Sequence, residues 1–259
     1  MSRRTATARR PAPGPARTGV SPPMPWWPAV GLPPAAVTVI GEFRSGRSSL
    51  VNALLGAAAV PTSMRTPIHH PVLVSYSPRA ALVAEFLDHR RQHTDWEAVG
   101  RLPQHGVRCL HLRLPLESLK SIRVTDTPAC AADGAPLDER VLALCRRAQA
   151  VIWCTPAVQA WKASEREIWL QLPERVRKRG VLAVTYMDLL RSESERARLV
   201  SRLRAEAAPY FANMAMIANL EAARAREQQG NGWHTLWQAS GGAGLAAAVQ
   251  AVIDTPPRS

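Results

Sequence analysis

With 259 residues, 46% of them hydrophobic, the chain is long enough for one α/β domain with a sizeable core, or for a domain and a tail. Its formal charge is +13, and only Lys120, Lys162 and Lys178 among its 33 basic residues are lysine. No apolar run reaches the ~18 residues of a membrane-crossing helix, and the basic N-terminus lacks the apolar stretch of a secretory signal. The charge suits an anionic partner such as nucleotide, nucleic acid or acidic lipid. A composition rich in arginine, alanine and proline accounts for it equally well.

Residues 1–35 read as a disordered tail. Arg3, Arg4, Arg9, Arg10 and Arg17 stand among prolines, with no acidic residue to offset them. Trp26 and Trp27, beside this basic arm, suit a membrane interface or a fold-back onto the domain.

Val37 begins an apolar, β-branched run of strand length. The chain then turns through Gly41-Glu42-Phe43-Arg44-Ser45-Gly46-Arg47-Ser48 and resumes with helical spacing at Leu50, Val51, Leu54 and Leu55. Strand, glycine-bounded loop and helix is the context a phosphate-binding loop needs. Successive backbone N–H groups and the positive end of the helix receive phosphate oxygens there. Gly41 and Gly46 permit the tight turn, Ser45 and Ser49 flank it, and Ser48 is placed to hold Mg²⁺. The pattern asks for lysine before the Ser/Thr, and this chain has Arg47. The alternative is a plain strand–turn–helix.

A segment at 57–70 follows, with Thr62, Thr66, His69 and His70. Residues 71–77 read as a strand, and 80–87 as a second strand or a strand–helix junction. The polar stretch 88–104 has no clear assignment. Residues 107–114 alternate like a strand, and 122–126 form another that ends at Asp126; the two are expected to pair antiparallel at a sheet edge. Helices are expected at 137–148 and 160–172, the latter burying Trp161, Ile168, Trp169 and Leu172. The apolar runs 150–154 and 181–185 read as buried strands, the second leading into Tyr186-Met187-Asp188. A charged helix at 192–207, a short strand at 214–217, a polar helix at 221–228, a loop at 230–244 and a helix at 245–253 complete the pass. Strands alternating with helices predict a doubly wound sheet with a site at the strands' C-terminal edge. Cys109, Cys130, Cys145 and Cys154 form no CxxC pair and no zinc spacing, so they read as reduced core thiols of a cytosolic protein.

Three stations thus fall at strand ends in order: GEFRSGRSS, VTDTPA and VTYMD. Their order resembles the GTPase superclass, and more narrowly the dynamin-like GTPases of the bacterial branch. The family text runs close to GEFxxGKSxLxNALLG, then a strand–turn–strand into DTPG, then a TKxD or NKxD strand end. The resemblance covers roughly residues 36–253. It implies an α/β, P-loop, three-layer α/β/α GTPase domain, mostly parallel with an antiparallel edge strand, spanning 36–255. It also implies GTP or GDP with Mg²⁺. Gly41, Arg44, Ser45, Gly46, Arg47, Ser48, Ser49, Asp126, Ala129, Thr185, Tyr186, Asp188, Ala218 and Asn219 would contact nucleotide, Ser48 and Asp126 the metal.

The departures are specific. Arg47 keeps the lysine's charge but presents a planar fork. Ala129 replaces the glycine of DTPG, and Tyr186 replaces the lysine that lies along the base. The family's Mg²⁺-binding threonine falls on Ile68, with Thr66 two residues away as a catalytic substitute. Arg44 matches the internal arginine finger of the guanylate-binding proteins and atlastins, distant members of the superfamily. The family's long helical stalk is not expected after Ile253. The resemblance therefore implies either slow or partner-dependent GTP hydrolysis, or a pseudo-GTPase scaffold. It also implies a homodimer across the nucleotide face and a cytoplasmic protein, peripheral at an anionic inner membrane face through its tail. No motif points to specific nucleic-acid binding.

Overall fold

A computed structural model describes residues 33–62, 68–131, 135–227 and 233–255. The readings of the tail, of Trp26 and Trp27, and of Thr66 lie outside these residues, apart from positions 33–35. The described residues build a nine-stranded sheet in the order β4-β3-β5-β2-β6-β1-β7-β8-β9. Its strands are β1 (Ala35–Gly41), β2 (Val72–Tyr76), β3 (Ala81–Phe86), β4 (Arg91–His93), β5 (Val107–Leu114), β6 (Ile122–Asp126), β7 (Ala150–Pro156), β8 (Gly180–Thr185) and β9 (Asn213–Met216). Strands β6, β1, β7, β8 and β9 run parallel, so Asp126, Gly41, Pro156, Thr185 and Met216 all end on one edge.

The helices are α1 (Arg47–Leu55), α2 (Trp96–Val99), α3 (Glu139–Arg147), α4 (Ala163–Leu170), α5 (Glu174–Arg177), α6 (Glu193–Glu206), α7 (Asn219–Glu227), α8 (Trp233–Ala239) and α9 (Gly242–Asp254). Alternation along β1 and β7 divides them into two layers. Val37, Val39, Ile152 and Cys154 point into a core with Leu50 and Leu54 of α1, Ala222 of α7, Trp237 of α8 and Leu245 and Val249 of α9. Ile40, Val151 and Trp153 point into the opposite core, with Val141 and Cys145 of α3, Trp169 of α4, Val176 of α5 and Leu203 of α6. The architecture is α/β in three layers, mostly parallel, with antiparallel pairing toward one edge.

That edge differs from the sequence expectation. β5 and β6 are not neighbours, because β2 lies between them, parallel to β5 and antiparallel to β6. Val72 and Val74 of β2 fill the α1-side core, while Leu73 and Ser75 on its other face are half-buried. β3 and the short β4, from the polar stretch without an assignment, extend the sheet outward. The predicted loop at 230–244 instead holds α8 and the first turn of α9. Its glycine pair concealed a packing requirement: a Cβ on Gly242 would lie 2.4 Å from the Trp237 ring.

All four predicted core residues near α4 are buried, Trp161 and Leu172 just outside the helix and Ile168 and Trp169 within it. Trp169 stacks on Phe211 at 4.5 Å between centroids and meets Trp153 edge-on at 6.0 Å. The start of β8 sits against this cluster, and a Cβ on Gly180 would lie 2.4 Å from the Trp169 ring. Overpacking of this kind costs about 1–3 kcal/mol. Gly180→Ala is therefore expected to lower stability by that amount in urea denaturation. Combined with Trp169→Phe it should cost less than the two single effects summed, because both act on one contact.

Candidate functional site

The loop after β1 closes on a single residue. Gly46 adopts φ 83°, and a Cβ there would lie 3.1 Å from the Tyr186 ring, 3.2 Å from Asn219 Nδ2 and 3.2 Å from Thr185 Oγ1. Only glycine meets both the left-handed backbone and the close approach. The first station and the third therefore touch. Thr185, fully buried at the end of β8, donates its hydroxyl to the Ser45 carbonyl at 2.7 Å and lies 3.2 Å from that of Thr155. Asn219, also fully buried, accepts the Tyr186 N–H at 3.1 Å and so fixes the turn after β8.

Tyr186 itself has φ 57°, a left-handed conformation uncommon outside glycine, asparagine and aspartate. Its ring lies against Gly46, where a Cβ would come within 3.1 Å of it. Burial raises its hydroxyl pKa, as do Cys154 and Asp188, with Ser49 acting the other way.

The second station meets the loop from β6. Ser48 donates its hydroxyl to Asp126 Oδ2 at 2.6 Å, and Arg47 Nη1 donates to the Thr127 carbonyl. Thr127 is anchored in turn, its hydroxyl donating to the Val39 carbonyl at 2.9 Å. Asp126 is 4% exposed, and its Oδ1 has no hydrogen-bond partner. Burial pushes its carboxyl above the usual aspartate range, against the pull of the Arg47 charge and the Ser48 bond.

A cavity of about 420 Å³ opens above this junction, lined among others by Arg44, Ser48, His70, Asp126, Ala129 and Tyr186. Ser45, Gly46, Arg47 and Ser49 also line it. Arg44 has φ 63°, is exposed, and lies over the Phe43 ring at 5.5 Å. Ala129, exposed, and Ile68, half-buried, also lie on the cavity wall. Asp188 is half-buried in the turn after Tyr186, with a buried, unpartnered Oδ1.

Not every predicted contact residue reaches the cavity. Gly41 is buried in the strand, and a Cβ there would meet the Cys154 carbonyl at 2.6 Å, so its role is packing. Ala218 is buried, and its N–H is committed to the Ser240 carbonyl at 2.9 Å. Thr185 and Asn219 act from beneath the loop rather than from its surface.

Glu42 and His70 take places at the site with no role expected from the sequence. Glu42 is buried, pairs with Lys162 Nζ, and accepts from Ser164 Oγ at 2.7 Å. A buried charge needs such partners, and the lysine and serine at the start of α4 were the available signal. His70 lines the cavity while 3% exposed, with Nδ1 unpartnered. Burial, then Arg140 and His69, hold its pKa below the ordinary histidine value.

A sequence profile of the Dynamin family matches residues 37–188, which span all three stations. The chain is 26% identical over 166 residues to Dynamin-like protein 2 of Campylobacter jejuni, covering 61% of this chain and 26% of that protein. It is similar in fold to a solved structure of an oligomerised bacterial dynamin pair, described as a mechanism for long-range sensing and tethering of membranes. That match has a TM-score of 0.53 and 16% identity, over 85% of this chain and 36% of the other. The chain thus spans roughly a quarter to a third of the length of these relatives.

The buried Asp126 yields a stability prediction. Its carboxyl titrates higher when folded than when unfolded, so its contribution is fully present at acid pH and is lost as pH rises through the folded value. Asp126→Asn retains an acceptor for Ser48 and removes that loss. Urea denaturation of this variant is expected to give stability at neutral pH equal to or above wild type, with a flatter dependence on pH above the carboxylate range.

Proposed function

The chain belongs to the dynamin family, and from that premise we propose that it is a guanine-nucleotide-binding G domain. The phosphates of GDP or GTP would lie on residues 44–49, within a folded unit at 36–255 preceded by a basic tail. One observation carries this reading: the loop, Asp126 and Tyr186 converge on a single cavity. The loop supplies N–H groups at the N-terminus of α1, a favourable seat for phosphate. Asp188 lies in the turn after Tyr186, outside the cavity's lining, and would turn its unpartnered carboxylate oxygen to the N1–H and N2–H₂ edge of guanine, with the Tyr186 ring as a stacking face.

The donor set also fits Mg²⁺. Ser48 and Asp126 present only oxygen, and Asp126 Oδ1 has no partner. These two residues would hold the ion, which supplies positive charge to the phosphates. Ser48 would exchange its bond to Asp126 for that role.

Hydrolysis in this reading is slow or dependent on a partner. Ile68 on the cavity wall cannot orient water or a metal as a threonine does. Arg44, exposed at the rim, can swing over the β/γ bridge and neutralise developing charge. A second copy across this face would set that arginine, and the basic tail would bring the domain to an anionic membrane surface. One observation favours a second reading, a scaffold without turnover. Arg47 spends its guanidinium on the Thr127 carbonyl, and Ala129 stiffens the segment that follows.

Direct binding of GDP, a GTP analogue and ATP, with and without Mg²⁺, tests the first reading. Guanine nucleotides are expected to bind and ATP not. Asp188→Ala should cost roughly 1.5–3 kcal/mol of GDP affinity, the range for a hydrogen bond to a charged group. Equal binding of ATP and GTP contradicts the assignment.

Turnover separates the two readings. Arg44→Ala should slow GTP hydrolysis at least about tenfold, near 1.4 kcal/mol in barrier, with GDP affinity little changed. An Arg47→Lys variant that stays as inert as wild type favours the scaffold.

A further inference from the structure

The outer strands carry a polar cluster that the nucleotide site does not use. Across the antiparallel β3–β5 ladder, Glu85 pairs with Cys109 and Val83 with His111. Cys109 and His111 are two apart on β5, so both point to the face opposite Leu110 and Leu112, and Glu85 joins them from the next strand. The three potential ligand atoms lie within 4.8 Å of one another. His111 Nε2 is 3.0 Å from Glu85 Oε2 and 3.5 Å from Cys109 Sγ.

These separations are close to those of a tetrahedral centre. With zinc–nitrogen and zinc–sulfur bonds of about 2.0 and 2.3 Å, a tetrahedral N···S edge is about 3.5 Å, and an N···O edge about 3.3 Å. The first matches, and the second needs a shift of a few tenths of an ångström. We propose that Glu85, Cys109 and His111 form a site for a borderline divalent transition-metal ion of the zinc type, clamping β3 to β5.

The donor chemistry separates this site from the cation expected beside the nucleotide. Thiolate and imidazole select zinc-like ions, whereas magnesium prefers oxygen donors. Thiolate and carboxylate together balance the two charges of the ion. Arg91 Nη2, 2.9 Å from Glu85 Oε2, and Arg108 Nε, 3.6 Å from Oε1, are the outer partners that orient a ligating carboxylate. Burial pushes the Cys109 thiol up to about 11, so metal binding displaces its proton to solvent. The His111 side chain is 23% exposed, which gives an entry path and a solvent-facing fourth position. Cysteine spacing could not reveal this arrangement, because Glu85 lies 26 residues before His111 and meets it only through strand pairing.

The test is a titration of the chelator-stripped full chain with Zn²⁺ and with Co²⁺, in excess Mg²⁺. One ion per chain is expected, with thiolate-to-cobalt charge-transfer absorption in the Co²⁺ form. Cys109→Ser should abolish that absorption, and both Cys109→Ser and His111→Gln should lower Zn²⁺ affinity at least tenfold. X-ray absorption of the wild-type zinc form needs no variant, and should show one sulfur at about 2.3 Å with nitrogen or oxygen at about 2.0 Å. A first shell without sulfur overturns the proposal. So does charge-transfer absorption that survives Cys109→Ser, or Zn²⁺ affinity unchanged in both variants.

Discussion

The site depends on the absence of one carbon atom. At Gly46 the backbone turns left-handed, and the Tyr186 ring, the Asn219 amide and the Thr185 hydroxyl all approach the place a Cβ would occupy to within 3.1–3.2 Å. The start of α1, the end of β8 and the start of α7 are thereby fixed relative to one another. Thr185 then holds the Ser45 carbonyl from below, and Gly46, Arg47 and Ser48 line the cavity above it. The geometry of the cavity floor is thus set by packing before any ligand arrives, the condition under which binding loses least to reorganisation.

Around this point the sheet supplies both anchors and charges. The parallel strands β6, β1, β7 and β8 end side by side, so residues far apart in the chain meet within hydrogen-bond distance. Beneath the cavity Glu42 pairs with Lys162 and Ser164, and Glu165 Oε2 accepts from Thr155 and the Lys162 N–H. At its surface Asp126 Oδ1 and His70 Nδ1 have no hydrogen-bond partner. Buried polar atoms are normally satisfied, and an exception that faces a cavity is where a polar ligand or ion gains most. The Glu85, Cys109 and His111 cluster is of another kind: its groups are partnered, to one another and to Arg91 and Arg108, with the three potential ligand atoms within 4.8 Å.

Much of this was legible in the sequence, for physical reasons that differ by element. The β1 loop could be read because β-branched strand, bounding glycines and helical periodicity all agree locally. Asp126 could be placed because it ends the strand-like segment 122–126, and Asp188 because it follows the apolar run 181–185 that reads as a buried strand. The insertion of β2 between β5 and β6 was not legible, since strand order is a tertiary property and a strand buried between two neighbours reads the same in either position. The α8 helix was hidden because Gly241 and Gly242, which read as loop, serve close packing on Met216 and Trp237. Ala218 and Gly41 could be assigned to the neighbourhood of the site but not to its floor or its surface. That distinction rests on whether a backbone N–H is already committed, as Ala218 is to Ser240.

The central claim is that the loop ending at Gly46 is the seat of a guanine nucleotide. A crystal structure grown with GDP and Mg²⁺ tests it most directly. Phosphate oxygens are expected within hydrogen-bond distance of the N–H groups of residues 46–48, with the base against Tyr186, its edge on Asp188, and Arg47 released from the Thr127 carbonyl. A structure from saturating GDP in which this cavity holds only solvent and Arg47 stays on Thr127 would contradict it.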